Sequence, residues 1–354
     1  MRISHLIRSF IPGALASCIV GVLAFCGRQG RWVLPAGLLA GFLLPTLAAP
    51  MRAAIPYLIV VLLFVAWLRI TDSNGTNDSI STNSINANTS IWARFAFLKD
   101  CKLIGGVLVA QLVLPLVLYF LLSLSGIPVI WCMAAVLVAA AAPISGGPNI
   151  VLLMKGDASL ALRWLTVGTM LMPLTSIPVL ALLLPSEPKL AVGLAIVKLL
   201  LIITIAMFAA IAVHNYGWGK AMKTPRFQEI LDGIAAILLA SMVIGLMSAV
   251  HHPTSTVPVM GKMLLLAITI NVGLQLLGIV VASFSPSLSL SLSKQAVVSF
   301  GVLNGNRNIA LFLAALPVGV TEPLLLFIAC YQIPMYLTPL VGKPLYRFLG
   351  RQVL

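Results

Sequence analysis

Pro143-Ile144-Ser145-Gly146-Gly147-Pro148-Asn149 and Asn304-Gly305-Asn306-Arg307-Asn308 decide how this chain folds. Each stretch sits inside an apolar run, 128–153 and 295–317, that is otherwise fit to cross a bilayer as helix. Proline, paired glycine and clustered asparagine interrupt a helix, and an interruption in hydrocarbon frees N–H and C=O groups that water cannot satisfy. Such a break survives only where it is buried in protein or lines a wet cavity. The freed half-helix N-termini then offer partial positive charge to anions, and the freed carbonyls offer ligands to cations. The last asparagines are 308 − 149 = 159 positions apart, and the apolar runs that open the two halves begin at 32 and 190, which is 158 apart. The breaks therefore fall at the same depth of a five-helix unit in each half. Five is odd, so the second copy enters the membrane from the opposite side and the repeat is inverted.

The remainder of the chain agrees with a membrane reading. Of 354 residues, 60% are hydrophobic and 8% charged, with a mean hydropathy of +1.10. Soluble domains run at about 45–50% apolar and about 25% charged. A cytosolic enzyme, a nucleic-acid binder and a disordered protein are excluded on that ground. Helical spans need about 20 apolar residues, and candidates lie at 32–49, 52–70, 103–124, 128–153, 160–184, 190–213, 230–250, 260–283, 295–317 and 323–342. The expected fold class is an all-α membrane protein of about ten transmembrane helices, with segment 1–31 ahead of a first repeat at 32–184 and a second at 190–346. Ile11 to Cys26 reads as an extra span, an interfacial helix or a signal-like segment. With ten spans from residue 32, fifteen Lys/Arg fall on one side and three on the other. The basic side is cytoplasmic by the positive-inside rule, so the expected location is the cell (inner) membrane with the C-terminus in the cytoplasm. The net charge of +14 is thus a topology signal, and no nucleic acid partner is expected.

The stretch 71–93 is a different material, rich in Ser, Thr, Asn and Gly, and reads as a flexible polar loop. Its three sequons, at Asn74, Asn77 and Asn88, fall on the cytoplasmic side of this topology, where such sites go unused. Cys18, Cys26, Cys101, Cys132 and Cys330 are scattered with no CxxC or Cys/His spacing, so neither a metal site nor a disulfide framework is expected. No paired carboxylates, His-Glu-x-x-His or Gly-x-Ser-x-Gly elbow occurs, and an enzyme is not expected.

At the two breaks the chain resembles the bile acid:sodium symporter family and related organic-anion transporters of that fold. The family's Pro-Gly-Gly-Thr-Ala-Ser-Asn corresponds to Pro143–Asn149, followed by Gly156-Asp157 and, at the family spacing, Pro173. One residue is missing between Asn149 and Gly156. Ile196-Val197-Lys198 is similar to a stretch of the family's sixth helix, and Asn271 with Leu276-Leu277-Gly278 to its eighth. The family's Gly-Met-Gln-Asn-Ser-Gly-Leu corresponds to Gly305-Asn306-Arg307-Asn308-Ile309-Ala310-Leu311, and the likeness spans about 32–346. The resemblance implies a panel domain and a core domain, with helices four and nine crossing at their unwound centres. Substrate would bind near that crossing and alternate access by domain movement. Carried over by position, the substrate or ion-binding set is Ser145, Gly146, Gly147, Pro148, Asn149, Lys198, Asn271, Asn304, Gly305, Asn306, Arg307 and Asn308.

The resemblance fails at the sodium sites. The acidic residue the family carries ahead of Gly-Met-Gln-Asn is Leu303 here, its Gln is Arg307, and hydroxyl residues of the fifth helix are Ala161 and Leu165. All eight acidic residues fall in loops or at helix ends, so a buried carboxylate for sodium or proton coupling is missing. Two cations are expected inside the membrane, Arg307 and Lys198. Arg307 has three readings: a clamp on an anionic substrate, a tethered cation replacing bound sodium, or a structural cap on freed carbonyls. Lys198 reads first as structural, pairing with carbonyls at the crossing. The expected function is a secondary transporter of a small organic anion that needs no cofactor and has largely lost its sodium sites. The alternatives are a sodium-coupled symporter of bile-acid-like or other organic anions, and a membrane sensor on the same fold.

Overall fold

A computed structural model describes residues 13–73, 99–185, 187–218, 224–252, 255–284 and 293–352. Among them the chain is helix after helix, and the only β pairing is one isolated bridge. Seven helices are long and apolar enough to cross a membrane, and the chain is a transmembrane helical protein. The helices are α1 Gly13–Arg28, α2 Gly30–Leu43, α3 Pro45–Ser73, α4 Cys101–Leu124, α5a Val129–Ala140, α5b Gly147–Leu153 and α6 Ala158–Leu183. They continue with α7 Lys189–Val213, α8 Pro225–Leu246, α9 Val257–Phe284, α10a Lys294–Gly305, α10b Ala310–Ala315 and α11 Leu325–Gln352.

Each expected span falls on a helix or, at 128–153 and 295–317, on two shorter ones. Among the described residues only the seven long helices have the length and composition of a span. Three boundaries differ. Of the segment 11–26, the described residues from Gly13 on are helical and form α1, which continues to Arg28. The first expected span ends early, because Leu44 precedes Pro45 and takes φ −121°, ψ 74°, outside the helical region. That leaves α2 with 14 residues, about 21 Å, which is short of a bilayer core. Helix α3 then runs through Arg52 and on to Ser73, so the polar loop begins later than expected; its remainder, with the sequons, lies outside the described residues.

The contacts divide the chain into two compact units. One comprises 1–94 with 204–245, and so holds α1, α2, α3 and α8. Its helices meet at small residues. A Cβ on Gly233 would overlap the Leu23 carbonyl oxygen, and one on Gly27 would overlap that of Glu229, so α1 and α8 touch backbone to backbone. A Cβ on Gly37 would lie 2.9 Å from Cβ of Ala240, and one on Gly245 2.7 Å from the Met51 carbonyl carbon. Without a hydrophobic gain between helices in lipid, this closeness is what lets dispersion hold them together. Ion pairs Arg28–Glu229 (3.0 Å) and Arg69–Asp232 (2.6 Å) anchor the charged end of α8 to α1 and α3.

The other unit comprises 95–203 with 246–354. Here α10a packs against α9, α6 and α5b, and α9 against α11. Helix starts are fixed by caps. Asp100 accepts from the Lys102 and Leu103 amides, Asp157 from Leu160 and Ser293 from Ala296. The turn that carries Gly156-Asp157 is pressed onto the start of α10a. The Asp157 amide donates to Ser299 Oγ (2.8 Å), whose single hydroxyl proton lies between the Gln295 carbonyl (2.8 Å) and the Asp157 carbonyl (3.0 Å), and a Cβ on Gly156 would stand 2.7 Å from Val151. Trp164 of α6 meets Phe300 of α10a edge-on, with ring centroids 4.7 Å apart.

Gly233→Val should unseat α1 from α8 and lower the melting temperature in detergent, a loss of about 1–3 kcal/mol or more for forced overpacking. Gly21→Ala, in open space on the same α1, should leave it unchanged or raise it, as thermal melts of the two variants would record.

Candidate functional site: the paired helix breaks

Helix α5a stops at Ala140. Ala141 turns extended (φ −67°, ψ 151°), and Pro143 has no N–H with which to continue the ladder. Helix resumes at Gly147, with Pro148 in the first turn. Helix α10a stops at Gly305, Asn306 leaves the helical region (φ −106°, ψ 86°), and helix resumes at Ala310.

The two extended segments lie antiparallel and pair with each other. Ile144 N–H donates to the Asn306 carbonyl (2.9 Å), Asn308 N–H donates to the Ala142 carbonyl (2.7 Å), and Pro143 faces Arg307 across the bridge. Backbone groups that the breaks release are thereby satisfied by the opposite break.

Arg307 lies at the centre and has no solvent exposure. Its Nε donates to the Asn304 carbonyl (2.9 Å), one terminal nitrogen to the Ala141 carbonyl (3.1 Å) and the other to Asn304 Oδ1. No carboxylate pairs with it among the described residues. The guanidinium therefore bridges both broken helices through oxygens alone.

Helices α9 and α11 support the second break from behind. Asn271 Nδ2 donates to the Gly305 carbonyl (2.5 Å), which also accepts from the Tyr331 hydroxyl. Gln275 Nε2 bonds Asn271 Oδ1 (2.7 Å) and Thr338 Oγ1 (3.1 Å), and the Tyr346 hydroxyl donates to Gln275 Oε1 (2.8 Å). Gly305 is required here, since a Cβ would lie 2.5 Å from the Asn271 carbonyl oxygen and overlap Gln275 Cγ.

The residues expected at the site divide into groups. Asn271, Asn304, Gly305, Asn306, Arg307 and Asn308 come together and are buried. Ser145 and Gly147 are buried beside them, Gly146 and Pro148 are half-exposed, and Asn149 is exposed on α5b. Leu303 rests on Gly147, where a Cβ would meet its Cδ2 at 2.8 Å, so an apolar side chain fills the space. Ala161 and Leu165 are likewise buried apolar residues. Lys198 stands apart. It is exposed on α7 in a row with exposed Leu194, Val197 and Leu201, and no hydrogen bond or ion pair ties it to the breaks. The expectation that it pairs with carbonyls at the crossing is replaced by an outward-facing lysine.

One residue was not anticipated. Gln111 is fully buried at the centre of a π-helical turn, Val109–Val113, in α4. Pro115 offers no N–H to the Gln111 carbonyl four residues back, which is the local reason for that turn. Neither Nε2 nor Oε1 of Gln111 has a hydrogen-bond partner among the described residues. A Cβ on Gly168 of α6 would lie 2.8 Å from Gln111 Nε2 and 3.0 Å from Pro143 Cδ, so an unpaired amide and the first break converge on one glycine. Its signal was present in the sequence as the lone polar side chain between Leu103 and Tyr119.

No family model and no curated protein matches the chain.

Gly305→Ala should lower the melting temperature by the equivalent of about 1–3 kcal/mol, because α9 offers no room for a methyl group. Asn271→Ala in the same background should restore none of that loss, as the obstructing carbonyl is backbone.

Proposed function

We propose that this protein is a secondary transporter of a small organic anion, working by alternating access on the fold of the bile acid:sodium symporter family, and that it does so without sodium coupling. The observation that carries the reading is the antiparallel pairing of the two breaks, 159 positions apart. Discontinuous helices of this kind, one from each half, form substrate and ion sites in transporters with inverted repeats. The two compact units support it further, because each draws helices from both halves of the chain, as a panel and a core would. In this reading the ten helices from α2 onward form two inverted five-helix repeats, with α1 added in front.

The sodium-free part of the proposal follows from the chemistry at the breaks. Leu303 occupies the position of the expected carboxylate, and Arg307 brings a positive charge. At a few Å the repulsion between a guanidinium and sodium is several kcal/mol even at an effective dielectric of about 20. The preference for an anion rests on the family likeness and on a lining of amides with no carboxylate among the described residues. Gln111 is the donor best placed to meet a substrate, since its amide is already dehydrated and unpaired. Substrate would be held in the inner membrane with the basic loops and the C-terminus cytoplasmic.

Proteoliposomes loaded with a small set of carboxylate and bile-acid-like anions test this directly. Saturable flux of at least one anion, equal with and without a sodium gradient, is the expected result. Sodium-stimulated flux would refute the uncoupled mechanism, and the absence of flux for every anion would point instead to a sensor. Gln111→Leu should cut flux by about tenfold, the loss of one polar contact of ~1.5 kcal/mol, while melting no lower than wild type because it removes an unsatisfied buried amide.

A further inference from the structure

We infer that Arg307 is a built-in cation: its guanidinium occupies, from within the chain, an oxygen-lined site between two helix C-termini that a free monovalent cation would otherwise fill. Helices α5a and α10a have twelve residues each and both end at the breaks. Each C-terminus carries about half a negative charge on its unsatisfied carbonyls. The two ends address the same side chain, α5a through the carbonyl of Ala141, its terminal cap, and α10a through the carbonyl of Asn304 in its last turn. About one negative charge of helix ends thus meets one positive charge, in a place with no solvent exposure and no carboxylate partner among the described residues.

The ligand set favours this over a role as a generic donor. Ala141 O, Asn304 O and Asn304 Oδ1 are three neutral oxygens arrayed around one cationic group, one to each guanidinium nitrogen. Carbonyl oxygens and half-helix C-termini are the ligands that hold monovalent cations in membrane proteins. A tethered guanidinium supplies the charge permanently, at no cost in ion binding, so the paired breaks hold together at any sodium concentration. The inference deepens the transport reading and rests on it only for the consequence that a conformational cycle needs no coupling ion. The ligand geometry stands without it.

Charge and hydrogen bonding are separated by two substitutions. Arg307→Gln keeps donors but removes the charge, and Arg307→Lys keeps the charge but loses the fork. The full-length protein and both variants are purified in sodium chloride, and each is melted in detergent with sodium, potassium or choline chloride at matched ionic strength. Wild type and Arg307→Lys are expected to melt at one temperature in all three salts. Arg307→Gln is expected to melt lower in choline and to shift upward, saturably, with sodium or potassium. A glutamine variant as stable as wild type in choline would overturn the inference, because the charge would then be dispensable. So would a glutamine variant equally destabilised or unfolded in every salt, since no cation site would have been left behind, or a lysine variant that melts as low as glutamine in choline. Failure here is distinct from failure of the transport reading. Salt-dependent melting of wild type sinks the built-in cation, whereas sodium-stimulated flux sinks uncoupled transport.

Discussion

Interrupting two helices inside a largely apolar interior obliges every released N–H and C=O to find a partner within the fold, and the architecture of the 95–203 and 246–354 unit follows from that obligation. The two breaks answer it mutually, by lying antiparallel and exchanging Ile144–Asn306 and Asn308–Ala142 hydrogen bonds. What the pairing leaves over is taken up by side chains. Arg307 collects the carbonyls of Ala141 and Asn304, while Asn271 and Tyr331 both serve Gly305. Since an unpaired buried polar group costs about 1–3 kcal/mol, a cluster of this kind is stable only when complete. The Gln111 amide, unpaired on both its nitrogen and its oxygen among the described residues, is therefore informative.

The broken helices are tied at a second place as well. The Asp157 amide bonds Ser299 Oγ and the Gln295 carbonyl where the α5b–α6 turn meets the start of α10a, and Gly156 allows the approach. With one tie at the breaks and another a full half-helix away, α10a is constrained in both position and rotation relative to α5b. Residues on the breaks are consequently presented by a rigid scaffold, which suits a site that must keep its geometry.

Much of this was legible in the sequence. Proline, glycine and asparagine in an apolar run leave few conformations open, so both breaks could be read from residue types alone. Helix positions followed from hydropathy, and Asp157 and Asp100 carry ordinary capping chemistry. What could not be read is side-chain direction. Each residue advances about 100° around a helix, so assigning Lys198 to the crossing required knowing which face of α7 points inward. Its apolar neighbours look alike on all sides, and the sequence of α7 gives no face preference. The short α2 was missed for a related reason. Leu44-Pro45 ends a helix through backbone sterics, and hydropathy averaging does not register that. Gln111 was visible as a lone polar residue, but its unpaired state depends on α6 and the first break, which are distant in sequence.

The contact of α1 with α8 bears on how the protein is made. Arg28 and its partner Glu229 are 201 positions apart, and the glycine faces of the same two helices touch without side chains between them. At a synthesis rate of about 5–20 residues per second, ~10–40 s separate the emergence of the two. Throughout that interval the Gly27 face of α1 lacks the backbone partner that only α8 supplies. Assembly of the 1–94 and 204–245 unit therefore waits for α8, and a chain interrupted before it leaves the Gly27 face of α1 without its partner.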